Sequence, residues 1–232
     1  MIALAASGAW VVVVLMARGT GAMPGPMGVR ALVFVPVWIT MMAAMMLPSM
    51  APVAAVYARS QKGREMQRLL LFTAGYLMVW AVMSPVFHGL TVAASAAVMA
   101  QPAVARAAPT IAFLAAAVYQ LSRLKEVCLR HCRSPFAAVV QFASFSGPLR
   151  SVRAGAHHGV VCLGCCWALM LILVAVGLMN LLAMVILALA ILLEKGVTKG
   201  VWFSRSMAAA ALGFGIACLW LPQLAPGLAG LN

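Results

Sequence analysis

Two short cysteine clusters, Cys128-x-x-His131-Cys132 and Cys162-x-x-Cys165-Cys166, share the spacing i, i+3, i+4. On an α-helix this spacing puts all three side chains on one face. Two helix ends that carry five thiols and an imidazole suit a single soft metal ion, because thiolates favour Cu(I), Zn(II) and iron–sulfur centres. A structural zinc asks for four ligands in a tetrahedron. Four can be drawn from Cys128, Cys132, Cys162, Cys165 and Cys166, with His131 in reserve; Cu(I) needs only two or three. Cysteine also packs as a small hydrophobe. Two triads at matched spacing favour metal or thiol chemistry over packing, whereas Cys218, alone in the last apolar run, reads as packing.

A second soft-ligand pattern is Met41-Met42-Ala43-Ala44-Met45-Met46. Met41 shares a face with Met45, and Met42 with Met46; Trp38 and Met50 extend the same side. Thioethers are weak ligands for Cu(I), and the same stripe also serves as a flexible packing surface. Pro48 removes a backbone hydrogen bond and is expected to loosen the helix there. Glu194-Lys195 is the third pattern. An acidic residue beside a membrane span is costly, so Glu194 is expected to have a role. It would either form an interfacial ion pair with Lys195 or Arg205, or act as a hard ligand or proton acceptor near the thiols. His157 and His158 precede the second cluster and could serve as ligands, but histidines in a basic loop are usually solvated and that is the expectation here; His88 is given no role.

The elements that position these residues follow from composition. The chain of 232 residues is 66% hydrophobic and 8% charged, where a soluble domain carries roughly 25% charged residues. That composition predicts an all-α polytopic membrane bundle forming a single integral membrane domain over residues 1–232. Apolar runs at 2–17, 33–57, 69–91, 108–123, 159–177, 179–193 and 206–222 give about seven transmembrane helices. The count is six if 159–193 is one span. Those 35 residues would make about 52 Å of helix against a bilayer core of about 30 Å. Gly177-Leu-Met-Asn180 supplies a turn, so a helical hairpin is expected. The third run continues apolar to about residue 100 past Pro85, which predicts a kink or an extension beyond the bilayer. Phe136–Phe145 is too short to cross and predicts an interfacial helix.

Charge sets the orientation. Residues 58–68, 123–158 and 194–205 hold thirteen Lys and Arg, against three (Arg18, Arg30 and Arg106) in the alternate loops. The positive-inside rule then puts the N-terminus in the cytoplasm and both cysteine clusters at the cytoplasmic ends of spans four and five. That compartment is reducing, which favours metal or redox chemistry over a structural disulfide. The net charge of +13 is explained by loops that meet anionic headgroups. No aromatic stacking residues interleave with it, so nucleic acid is not an expected partner. The three acids, Glu65, Glu126 and Glu194, leave no paired carboxylates for hydrolysis. No nucleotide-binding loop or hydrolase motif is recognisable, and whether the chain is an enzyme stays open.

Several segments resemble the DUF2182 family, described as predicted metal-binding integral membrane proteins. They are Met41 to Pro48, Tyr119 to Lys125 running into Cys128 to Pro135, Gly159 to Met170 with its Cys-Leu-Gly-Cys-Cys-Trp run, and Gly177 to Leu181 leading to Glu194-Lys195. The resemblance implies a multi-pass protein of the bacterial inner membrane with a metal site at Cys128, Cys132, Cys162, Cys165 and Cys166 plus the methionine motif. The expected function is binding of a soft metal ion, copper favoured over zinc, for metal handling or transfer. Expected partners are the lipid bilayer and either a metal chaperone or another membrane subunit. The alternatives are a membrane oxidoreductase or assembly subunit that uses the same thiols, and a purely structural helical subunit.

Overall fold

The structure, a computed structural model, describes residues 1–19, 31–61, 63–196 and 200–221. Arg30, Lys62 and Lys199 of the charge count, the side chain of Arg106 and the apolar end at residue 222 lie outside the described residues. The described residues form an all-α bundle of nine helices: α1 (Ile2–Gly19), α2 (Ala31–Arg59), α3 (Glu65–Ala100), α4 (Pro102–Gln120), α5 (Arg123–Arg133), α6 (Pro135–Phe142), α7 (Arg150–Val176), α8 (Leu181–Gly196) and α9 (Gly200–Trp220).

Among the described residues, each of the seven apolar runs falls largely on one helix, the 108–123 run ending in the break between α4 and α5. Four helices are long and apolar enough to cross a membrane, over Leu32–Arg59, Glu65–Ala100, Arg150–Val176 and Trp202–Trp220. α1, α4 and α8 are shorter. At about 1.5 Å per residue, the 36 residues of α3 reach about 54 Å, so this helix extends past Pro85 rather than ending there. Pro36, Pro48 and Pro52 all lie inside α2, which continues without interruption. The expected loosening at Pro48 therefore does not break the helix; one turn is braced by the Ser49 hydroxyl, which donates to the Met46 carbonyl at 2.8 Å.

The hairpin forms where the turn residues predict it. Gly177 takes φ 114°, a left-handed value that glycine adopts without a Cβ clash, and α7 stops there. The Asn180 side-chain oxygen accepts the Ala183 backbone N–H at 3.1 Å and starts α8. α8 then folds back along α7, and Lys195 reaches Cys162.

Two expectations about the cluster positions are corrected. α7 begins at Arg150, nine residues before the apolar run, so Cys162, Cys165 and Cys166 occupy its middle turns rather than its tip. The chain extends the helix through Arg150–His158 because that stretch, though polar, holds no proline and packs on α3. The first cluster does not end a span either. α4 stops at Gln120, and Ser122 caps a separate amphipathic helix, α5, accepting the Lys125 backbone N–H. Serine competes for backbone donors in this way and so divides the two helices.

α3 and α7 pack backbone to backbone. A Cβ on Gly75 would fall on the Val152 carbonyl, and one on Gly155 on the Phe72 carbonyl. Small residues at a crossing let membrane helices approach this closely. α6 is the short helix expected before Phe145; its Phe142 is buried beside Tyr57 and Phe72.

Candidate metal centre

Position 162 of α7 is the hub of a buried sulfur cluster. The i, i+3, i+4 spacing brings the Sγ atoms of Cys162, Cys165 and Cys166 within 4.8 Å of one another, and all three residues are at most 2% exposed. The Cys165 and Cys166 thiols donate to the Cys162 carbonyl at 3.1 and 2.8 Å. α5 packs across this face and places Cys132 Sγ 3.8 Å from Cys165 Sγ. Two thiolates on one ion, at a bond of about 2.3 Å, lie roughly 3.8 Å apart in a tetrahedron and about 4.0 Å in a triangle. The Cys132–Cys165 pair thus has the separation that two thiolates on one thiophilic ion require. All six cysteines are free thiols.

Cys128 lies beside the cluster. A Cβ on Gly164 would come within 2.8 Å of its Sγ, so the absent side chain at 164 makes room for that sulfur next to Cys165. The Tyr119 hydroxyl donates to the Gly164 carbonyl and ties α4 to the same turn. Burial pushes the Cys128 thiol above its ordinary value, with the nearby Cys165 adding to the shift. The hydrogen bond to Cys165, followed by burial, does the same for Cys132. An arriving ion must therefore displace protons from both.

His131 is not brought to the cluster. It is exposed, and its Nδ1 faces the Val127 carbonyl at 2.9 Å, one turn back on α5. An i, i+3, i+4 triad spans about 100° around the helix, and α5 turns the Cys128–Cys132 side inward, which leaves His131 at the outer edge of that arc. Glu194 is buried but its carboxylate is engaged elsewhere. Oε2 accepts from Lys125 Nζ at 2.9 Å, and Oε1 from the Ser204 hydroxyl at 2.7 Å. Its ion-pair partner is Lys125, not Lys195 or Arg205 as the sequence suggested. Gln120 also accepts from Lys125, and Arg133 Nε donates to the Glu194 carbonyl at 2.8 Å. This network fastens α5 to the end of α8 beneath the sulfurs. His158 is corrected from solvated to buried; its ring packs on Phe72 and Tyr76.

Three residues of the centre were not singled out as part of it by sequence reasoning. Lys195 Nζ donates to Cys162 Sγ and to the Ser49 hydroxyl, each at 3.0 Å. Tyr76 of α3 hydrogen-bonds Cys162 Sγ at 3.0 Å. Lys195 was visible only as the neighbour of Glu194. Ser49 was visible only as a polar residue one turn beyond Met45, and Tyr76 carried no signal. Met41, Met42, Met45 and Met46 are all at most 2% exposed. At about 100° per residue, Met42 and Met45 fall on the α2 face that presents Ser49 to Lys195, with Met46 at its edge and Met41 further round. Cys218 is buried in α9, apart from this group.

A family model described as PpoB2, copper chaperone, matches residues 35–218, more than three quarters of the chain. The matched region contains every residue of the centre. No curated protein and no solved structure matches the chain.

Proposed function

Because the chain belongs to the PpoB2 copper chaperone family, we propose that it is a multi-pass membrane protein that takes up Cu(I) at Cys132, Cys162, Cys165 and Cys166 and passes it on. Copper is the cargo here. The observation that carries the reading is the meeting of α5 and α7, with Cys132 Sγ 3.8 Å from Cys165 Sγ inside a buried thiol cluster.

Charge favours copper over zinc. With two of the four cysteines bound as thiolates and the others kept as thiols, Cu(I) carries a net charge of −1, and the Lys195 ammonium beside Cys162 offsets it. Four thiolates on Zn(II) carry −2 and leave an uncompensated charge in an apolar interior, which is costly. Met42 and Met45, weak soft ligands on the face next to Ser49, would hold the ion in transit, since exchange needs binding that is not too tight. Cys128 supplies a further thiol at the side of the cluster open to α5. The thirteen-to-three charge asymmetry supports a cytoplasmic N-terminus in the inner membrane, with the centre about 18 Å along α7 from its Arg150 end. A second copper protein, either a soluble carrier or a membrane subunit, is the partner this scheme requires.

The test is elemental analysis of protein purified from membranes without chelators, followed by competition with a Cu(I)-specific chelator. Stoichiometric copper is expected, with retention lost when Cys132, Cys162, Cys165 and Cys166 are replaced by serine. Metal-free protein that competes no better than the serine variant would sink the reading.

The 3.8 Å approach of two free thiols also suits disulfide exchange after a small movement. Thiol trapping in intact cells separates the two readings. A reversibly oxidised Cys132–Cys165 fraction marks exchange, and chelator-sensitive protection from alkylation marks a bound ion.

A further inference from the structure

About 18 Å along α7 from Cys162, the N-terminal ends of α3 and α7 meet beside the C-terminal end of α2. Between them lies an open pocket of about 390 Å³, lined by Ser60, Gln61, Gly63, Arg64, Arg68 and Arg150. Three of its six lining residues are arginines and none is acidic. Among the described residues, none of these arginines is in an ion pair with a carboxylate. Such a concentration of unneutralised cations raises the local positive potential, which favours a bound anion.

Two of the three guanidinium groups are held in place by neutral partners. Arg150 donates through one terminal nitrogen to the Gln61 side-chain oxygen at 2.8 Å. Arg68 donates to the Ser151 hydroxyl at 3.4 Å, and Ser151 in turn accepts from Tyr57 at 2.9 Å. Arg150 Nε is buried and has no hydrogen-bond partner, so the charge of this guanidinium is only partly satisfied by the protein. Neither α3 nor α7 has a side-chain cap at its N-terminus. The N-terminal ends of two long helices add partial positive charge where the arginines converge, offset at α3 by Glu65 in its first turn. Fixed guanidinium forks with free N–H groups match the oxygens of a phosphate.

We infer that this pocket binds a phosphate group at the membrane surface, either the headgroup phosphate of an anionic phospholipid or free phosphate. It lies at the end of three membrane-spanning helices, the depth at which headgroups sit, and basic pockets between such helices bind anionic headgroups. The site is separate from the copper centre and does not depend on that reading.

The experiment uses full-length protein in mixed micelles. Retention of dioleoylphosphatidylglycerol and of dioleoylphosphatidylcholine is compared by native mass spectrometry. In a second arm, inorganic phosphate alone is titrated while thermal unfolding is followed. The variants are Arg64→Gln, Arg150→Gln and the triple Arg64→Gln/Arg68→Gln/Arg150→Gln. Phosphatidylglycerol retained in preference to phosphatidylcholine, weakened about fivefold per arginine removed, identifies a lipid headgroup. Stabilisation by inorganic phosphate without lipid preference, lost in the same variants, identifies free phosphate. The exposed Arg64→Gln keeps the test informative if the triple variant does not fold. Equal behaviour of the wild type and Arg64→Gln and Arg150→Gln in both arms overturns the inference.

Discussion

At the scale of single residues, Lys195 is the least expected member of the centre. A buried ammonium normally carries a large desolvation cost unless it is paired and hydrogen-bonded. Here it finds one sulfur and one hydroxyl at 3.0 Å each, and the nearest carboxylate, on its own neighbour, is committed to Lys125. The copper reading gives the charge a use, because a thiolate–Cu(I) unit is the anion that Lys195 lacks. Lys195→Met should then weaken Cu(I) binding by an order of magnitude or more, since a unit charge close to the ion is worth several kcal/mol even at an effective dielectric of about 20. Chelator competition at fixed pH reads this directly. Lys195→Arg, which keeps the charge, should recover much of the loss; an unchanged affinity in Lys195→Met would remove the lysine from the centre. The paired roles of Glu194 and Lys195 also show why neighbouring letters mislead. Adjacent residues on a helix point about 100° apart, so the two serve different sites.

At the scale of elements, the centre depends on how closely three helices approach. α3 and α7 touch through Gly75 and Gly155, where any side chain would meet a carbonyl. That contact sets the depth at which Tyr76 faces Cys162. Gly155→Leu should push the helices apart and abolish stable folding, seen as loss of a monodisperse peak in detergent and of cooperative thermal unfolding. Gly8→Leu, where a Cβ meets nothing within 4 Å, is the control and should leave both intact. The spacing of Gly75 and Gly155 is legible once the helices are known to cross, but no pattern in the sequence pairs position 75 with 155. α5 shows the complementary case. Its length, capping serine and charged face are all readable locally, yet the sequence reading assigned its cysteines to the end of the preceding span. Only the break at Leu121–Ser122 frees it to lie across α7.

For the whole molecule, the contacts that join the polar loops all lie toward one end. Arg150 bonds Gln61, linking residues 58–68 to 123–158, and Lys125 and Arg133 bond Glu194, linking 123–158 to 194–205. These are the loops that carry the positive excess. The opposite end of α3 carries Gln101, which is exposed and about 54 Å away by helix length. In a background in which the native cysteines are serine, Gln61→Cys and Ser144→Cys should label with a membrane-impermeant maleimide from the same side. Gln101→Cys should label only from the other. Labelling of Gln61→Cys and Gln101→Cys from one side would mean that α3 does not cross the bilayer.

The sequence alone determined the class of this protein, because membrane solubility is a matter of composition and every apolar run had to become a helix to satisfy its own backbone in lipid. It also determined the thiol grouping on α7, where the i, i+3, i+4 spacing gathers Cys162, Cys165 and Cys166 on one face, although on α5 the same spacing left His131 outside. What tertiary structure decided was which groups of different helices share a volume: Cys132 with Cys165, Lys195 with Cys162, Glu194 with Lys125. Helical periodicity fixes directions around one axis and says nothing about the rotation or depth of the next helix. Those are set by close packing at positions such as Gly75 and Gly155, whose partners lie some eighty residues away in the chain.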